Sequence, residues 1–174
     1  MSNPREFIVK PDPDDPRLVV RVEGVDHEGN SVTASVTVER PLTLYLNSQE
    51  IVTMMTIGDY PEYLAVGYLL NQNMLSQDDR ITAVDYNEDI ETVVVRTDGE
   101  TDFEDKLRKK TLTSGCAQGT VFGDLMENFE DVLLAKDVKI KTSELYRLLH
   151  TINSAPSLYL EAGAIHGCVL CEGD

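Results

Sequence analysis

Positive charge is scarce in this chain. Lysine and arginine number 15 against 31 acidic residues in 174, for a net charge of -16. A protein that coats DNA or RNA needs clustered cations to neutralise phosphates, so that class is excluded. Attraction to an anionic membrane surface is excluded on the same ground. The deficit is not a local tail: residues 1–70, 71–110 and 111–174 carry -6, -5 and -5. An acidity spread so evenly reads as a solubility or salt-tolerance property of the whole surface.

Long apolar runs are also lacking. No stretch approaches the roughly 18 residues a membrane span requires. Met1–Lys10 has no secretory pattern, because Glu6 and Lys10 flank only a short apolar patch. Cysteine is limited to Cys116, Cys168 and Cys171. An odd number without a secretion signal points to free thiols in a reducing compartment, hence a cytoplasmic protein. There is no P-loop, no GxGxxG and no placeable Ser–His–Asp signature.

What is present is ordinary globular material, 41% hydrophobic and 26% charged, long enough to bury a core. Residues 1–16 read as a loose leader broken by Pro4, Pro11, Pro13 and Pro16. Arg17–Val25 and Ser31–Glu39 alternate in hydropathy around Asp26–Asn30, which predicts a β-hairpin. Leu42–Leu46, Ile51–Thr56, Ile81–Tyr86 and Thr92–Thr97 are further predicted strands. Between them Asp59 and Pro61 open a helix through Leu70, apolar nearly all round and therefore expected between layers. Asp124–Leu134 and Thr142–Asn153 are predicted helices, the second capped by Thr142 or Ser143. Ser157–Ala162 reads as a connector and Ala164–Cys171 as a buried strand. The class is mixed α+β, with a β-rich region over 17–141 and a helix–strand unit over 142–174. A chain that stops just past that strand is expected to be truncated, or to lack most of a second domain.

Chemistry concentrates at residues 107–119. Cys116 sits among small polar residues and glycines in Thr113-Ser114-Gly115-Cys116-Ala117-Gln118-Gly119. The basic triplet Arg108-Lys109-Lys110 precedes it. Nearby cations favour the thiolate, which is the nucleophile and the sulfur carrier. Ser114 and loop amides can hold an anion. The plainer alternative is a small residue filling a turn beside a solvated basic run. At His166-Gly167-Cys168-Val169-Leu170-Cys171 a zinc or redox motif is suggested. A strand would turn Cys168 and Cys171 to opposite faces, which favours small core residues instead.

The order of segments resembles the FdhD/NarQ family, the formate dehydrogenase accessory proteins. Arg40-Pro41-Leu42-Thr43-Leu44-Tyr45-Leu46-Asn47 is similar to that family's "EEPLEIRVNG". Met54–Leu70 is similar to "MRTPGHDEELALGFLF", Ile81 follows at "DDI", Thr113–Cys116 resembles "SSCGxC", and Gly163–Leu170 resembles "GGVHAAAL". The resemblance covers residues 37–172. It implies a β-rich N-terminal part followed by the start of a cytidine-deaminase-like α/β domain.

The implied activity is sulfur transfer. Persulfide sulfur comes from a cysteine desulfurase and passes to the molybdenum bis(guanine dinucleotide) cofactor of formate dehydrogenase. Cys116 is then the persulfide nucleophile. Arg108, Lys109, Lys110, Ser114 and His166 become cofactor-binding neighbours, and no resident metal is expected. A homodimer is among the implied assemblies. Two departures stand out. The family often has a second cysteine where this chain has Gly119, and its "EDVGRHNAxDK" segment has no counterpart. Both favour the alternative, a non-catalytic chaperone or docking adaptor for molybdoenzyme assembly.

Overall fold

The computed structural model describes residues 12, 14–75, 78–99, 110–112, 120–122, 137–163 and 165–171. Two units are distinguished, one made of residues 1–38 with 136–174 and the other of residues 39–135. The observed grouping returns the C-terminal segment to the N-terminal hairpin, so its boundaries differ from a break before Thr142. Among the described residues no helix is long and apolar enough to cross a membrane.

The second unit is built on a four-stranded sheet of order β4-β3-β6-β5. Its strands are β3 (Arg40–Leu46), β4 (Gln49–Thr56), β5 (Ile81–Asn87) and β6 (Thr92–Thr97). The hairpins β3–β4 and β5–β6 are antiparallel, and β3 and β6 pair in parallel at the centre. The period-2 pattern explains the core. Leu42, Leu44 and Leu46 point inward from β3 and meet Val93 and Val95 of β6, all essentially inaccessible. A bulge between Leu44 and Tyr45 re-aims β4, and Ile51 reaches the core there.

Helix α1 (Pro61–Asn71) packs against β5 and β6. It buries Ala65 and Leu69, while Tyr63, Leu64 and Leu70 stay exposed. The helix is therefore covered on one face only, not between layers as its composition suggests. Pro61 holds the first helical position, but the cap is Tyr60 rather than Asp59. At the other end Asn73 takes a left-handed φ of 53°. The Asn73 N–H donates to Leu70 O and the Met74 N–H to Leu69 O, a Schellman closure with Met74 and Leu69 both buried.

The first unit holds the hairpin β1 (Val19–Val25) and β2 (Ser31–Thr37), with α2 (Thr142–Ser154) and α3 (Leu158–Ala162). Asp26 organises the hairpin turn: its carboxylate accepts from the Glu28 and Asn30 N–H groups, and Gly29 supplies the positive φ. The hairpin forms as its alternation predicts, and it is mostly exposed. Helix α2 starts from Lys141, not from Thr142 or Ser143, and the Glu144 carboxylate accepts from the Lys141 N–H at 2.8 Å. The expected connector at 157–162 is the short helix α3, because the Ser157 hydroxyl caps it by accepting from the Leu160 N–H. Leu18 and Leu158 are the buried apolar residues of this unit among those described. Ser35 donates to the Glu161 carboxylate at 2.5 Å, linking β2 to α3.

Candidate functional site

The expected helix at 124–134 and the candidate residues Arg108, Lys109, Ser114 and Cys116 lie outside the described residues. The strands that frame the cysteine segment do not. β7 (Lys110–Leu112) and β8 (Thr120–Phe122) form an antiparallel pair, with Lys110 opposite Phe122, Thr111 opposite Val121 and Leu112 opposite Thr120. β-Branched Thr111, Thr120 and Val121 suit a pleated ladder. In sequence, residues 113–119 form the connection between the two strands, and Cys116 is its midpoint. The last ladder pair holds the two ends of that connection about 4.5–5.5 Å apart between Cα atoms. Lys110, the third cation of the basic triplet, opens β7. The sequence at 111–123 reads as a break in periodicity, since three-residue strands are too short to show one.

His166 belongs to the first unit and Lys110 to the second. The expected strand over Ala164–Cys171 does not form: residues 165–171 have neither helix nor strand, and residues 166–171 are exposed. A strand exists only where a neighbouring backbone takes up its ladder, and among the described residues no strand pairs with this segment. Cys168 and Cys171 are free exposed thiols and not small core residues. No group of three or more His, Cys, Asp and Glu side chains that could hold a metal occurs among the described residues.

The structure also assembles a polar corner that residue patterns did not reveal. The β3–β4 register sets Arg40 opposite Thr56. This brings the start of the Arg40–Asn47 stretch against the turn that leads into α1. There Gly58 has φ 77°, and a side chain at Gly58 would meet Arg40 Cδ at 4.0 Å. Arg40 Nη1 lies 3.5 Å from Glu91 Oε1. The Tyr86 hydroxyl donates to Glu91 Oε2 at 2.7 Å. Glu91 itself has φ 47°, and its carbonyl accepts from the Thr43 N–H at 2.9 Å. Burial, then the Glu91 carboxylate, push the Tyr86 phenol up to about 12. Tyr86 is therefore a donor at neutral pH and not a base. Residues 40, 86 and 91 are far apart in sequence, so no local spacing announces them.

At the start of α1, Tyr60 and Tyr63 stack with ring centroids 5.8 Å apart. Tyr60 adopts φ 46° where α1 begins.

The FdhD/NarQ family model matches residues 37–174. A Listeria monocytogenes protein named sulfur carrier protein FdhD is 28% identical over 149 residues, covering 81% of this chain and 55% of its own. A Wolinella succinogenes protein of the same name is 26% identical over 137 residues, covering 78% and 48%. The chain spans about half the length of the curated relatives it matches. A crystal structure from Desulfotalea psychrophila, assigned as a formate dehydrogenase accessory protein, overlaps 47% of this chain and 36% of that one. Its TM-score is 0.41 and its identity 19%.

Proposed function

Since this chain belongs to the FdhD/NarQ family, we propose that it carries sulfur for the assembly of a formate dehydrogenase, with Cys116 as the carrier. The Cys116 thiolate attacks the outer sulfur of a persulfide on a cysteine desulfurase. The donor thiol leaves, and a Cys116 persulfide forms. That sulfur then passes to the molybdenum bis(guanine dinucleotide) cofactor, the substrate of the transfer. Arg108, Lys109 and Lys110 favour the thiolate and offer charge to an anionic dinucleotide. Ser114 supplies a neutral donor, and His166 is a neighbour of the acceptor.

The observation that carries this reading is the family match across residues 37–174, which spans Cys116 and its basic triplet. Gly119 stands where the family often has a second cysteine. One thiolate suffices to hold and hand on an outer sulfur, so the substitution is compatible with carriage. The same reading takes residues 142–174 as the opening of a cytidine-deaminase-like domain. It sets the work in the cytoplasm, with a desulfurase, a molybdoenzyme and a second copy of the chain as partners.

Gly119 also favours a second reading, a docking adaptor that binds the cofactor or the desulfurase without carrying sulfur. One experiment separates the two. The chain with Cys168→Ser and Cys171→Ser is incubated with a desulfurase and cysteine, and intact mass and peptide masses are recorded. Carriage predicts one added sulfur on the Cys116 peptide, lost in Cys116→Ser. No added sulfur, or equal addition without Cys116, selects the adaptor.

A further inference from the structure

Two cysteines remain that the carrier reading does not use. Unpaired cysteine is among the residue types most often buried. Cys168 and Cys171 are both exposed. They stand at i and i+3 in a segment that is neither helix nor strand. The described residues supply no backbone hydrogen bond to residues 165–171. Gly167 precedes Cys168, and a side chain there would meet nothing within 4 Å. Val169 and Leu170, between the thiols, are 61% and 99% exposed.

Spacing and backbone together decide what such a pair can do. In a strand, Cα atoms three residues apart stand about 10 Å from each other, and their side chains diverge. A disulfide needs a Cα separation of about 4.4–6.8 Å. A β-turn brings residues i and i+3 within about 7 Å, a range that overlaps that window. Among the described residues no ladder bond has to break for residues 168–171 to make the turn. Open space beside Gly167 leaves room for a reactant.

We propose that Cys168 and Cys171 form a dithiol that takes sulfane sulfur from a persulfide and releases it as hydrosulfide. The Cys168 thiolate attacks the outer sulfur of a donor R–S–SH. The donor S–S bond breaks, R–SH leaves, and a Cys168 persulfide forms. The Cys171 thiolate then attacks the inner, Cys168-bound sulfur. The bond to the outer sulfur breaks, and hydrosulfide departs with the electron pair. Two thiols have been oxidised to one disulfide, and one zero-valent sulfur has been reduced to sulfide. A low-molecular-weight thiol such as glutathione returns the two electrons that restore the dithiol. The sulfur-handling reading enters only in naming the donor class. The dithiol chemistry is independent of Cys116.

The test uses the full chain with Cys116→Ser and glutathione persulfide as the probe. Sulfide release is followed against a chain lacking all three cysteines, and the peptide spanning 165–171 is weighed. The expected result is one sulfide per chain and a disulfide within that peptide. Adding Cys168→Ser or Cys171→Ser should remove both, with the added sulfur retained on the remaining cysteine. The proposal is overturned if no Cys168–Cys171 disulfide forms. It is equally overturned if sulfide release survives either substitution. Because carriage by Cys116 is read in the chain lacking Cys168 and Cys171, failure of one reading leaves the other visible.

Discussion

Replacing Asn47 tests how the four-stranded sheet is closed. Asn47 follows β3 in the turn to β4, with φ 53°, a left-handed conformation. Its backbone N–H donates to Val95 O at 2.8 Å. Its side chain reaches the same strand: Oδ1 accepts from the Thr97 N–H at 2.9 Å, and Nδ2 donates to Thr97 Oγ1 at 3.1 Å. One residue thus ties the β3–β4 turn to β6. Alanine loses these side-chain bonds, and a longer one from Nδ2 to Gly99 O at 3.4 Å, and tolerates the left-handed region less well. Strain contributes about 1 kcal/mol. Leaving the part-buried Thr97 N–H without its partner costs about 1 kcal/mol or somewhat more. Asn47→Ala should therefore destabilise the second unit by about 2–3 kcal/mol. In urea, followed by far-ultraviolet circular dichroism, the midpoint should fall by about 1 M. Asn47→Gly keeps the left-handed backbone without strain and should lose roughly half as much. If glycine and alanine destabilise equally, the strain argument is wrong. If neither moves the midpoint, the Thr97 bonds contribute nothing.

Two further expectations concern titration. Glu91→Gln removes the charge that helps hold the Tyr86 phenol at about 12, so its ionisation should move down toward the ordinary tyrosine value. Ultraviolet difference titration of the tyrosines reads this directly, and an unchanged Tyr86 would refute the contact. The sign for stability follows from the raised value: the Tyr86 contribution is complete below about 10, the usual tyrosine value, and fades as pH rises toward 12. Asp26 behaves oppositely. The Asn30 N–H and side-chain amide hold its carboxyl below the usual range. Its contribution is present above about 3.9 and is lost as pH falls through the lower folded value. Hydrogen exchange at the Asn30 amide should accelerate in that acid window. Asp26→Asn should accelerate it already at neutral pH, and no acceleration would remove the capping role.

Much of the fold is legible in residue order because its signals are local. Alternation at Leu42, Leu44 and Leu46 marks β3 and the face it buries. Pro61 marks the first helical position of α1. The Asp26-His27-Glu28-Gly29-Asn30 turn marks the first hairpin. Failures occur where a neighbour decides. Leu64 and Leu70 are apolar, yet exposed, because α1 meets the sheet on one side only. Ala164–Cys171 has the composition of a strand, but composition cannot supply a ladder partner. The short strands β7 and β8 escape notice because three residues are too few to display a period.

The candidate chemistry divides in the same way. Residue order alone determined that cations gather before Cys116, that the thiols number three, and that the net charge is strongly negative. These are matters of which groups exist and how far apart they lie along the chain. Only the tertiary structure decided that β7 and β8, on either side of Cys116 in sequence, pair with each other. It alone brought Arg40, Tyr86 and Glu91 together, and it left Cys168 and Cys171 exposed to solvent. Strand pairing and burial depend on contacts between residues distant in sequence, and their free energy is gained only when the chain closes on itself.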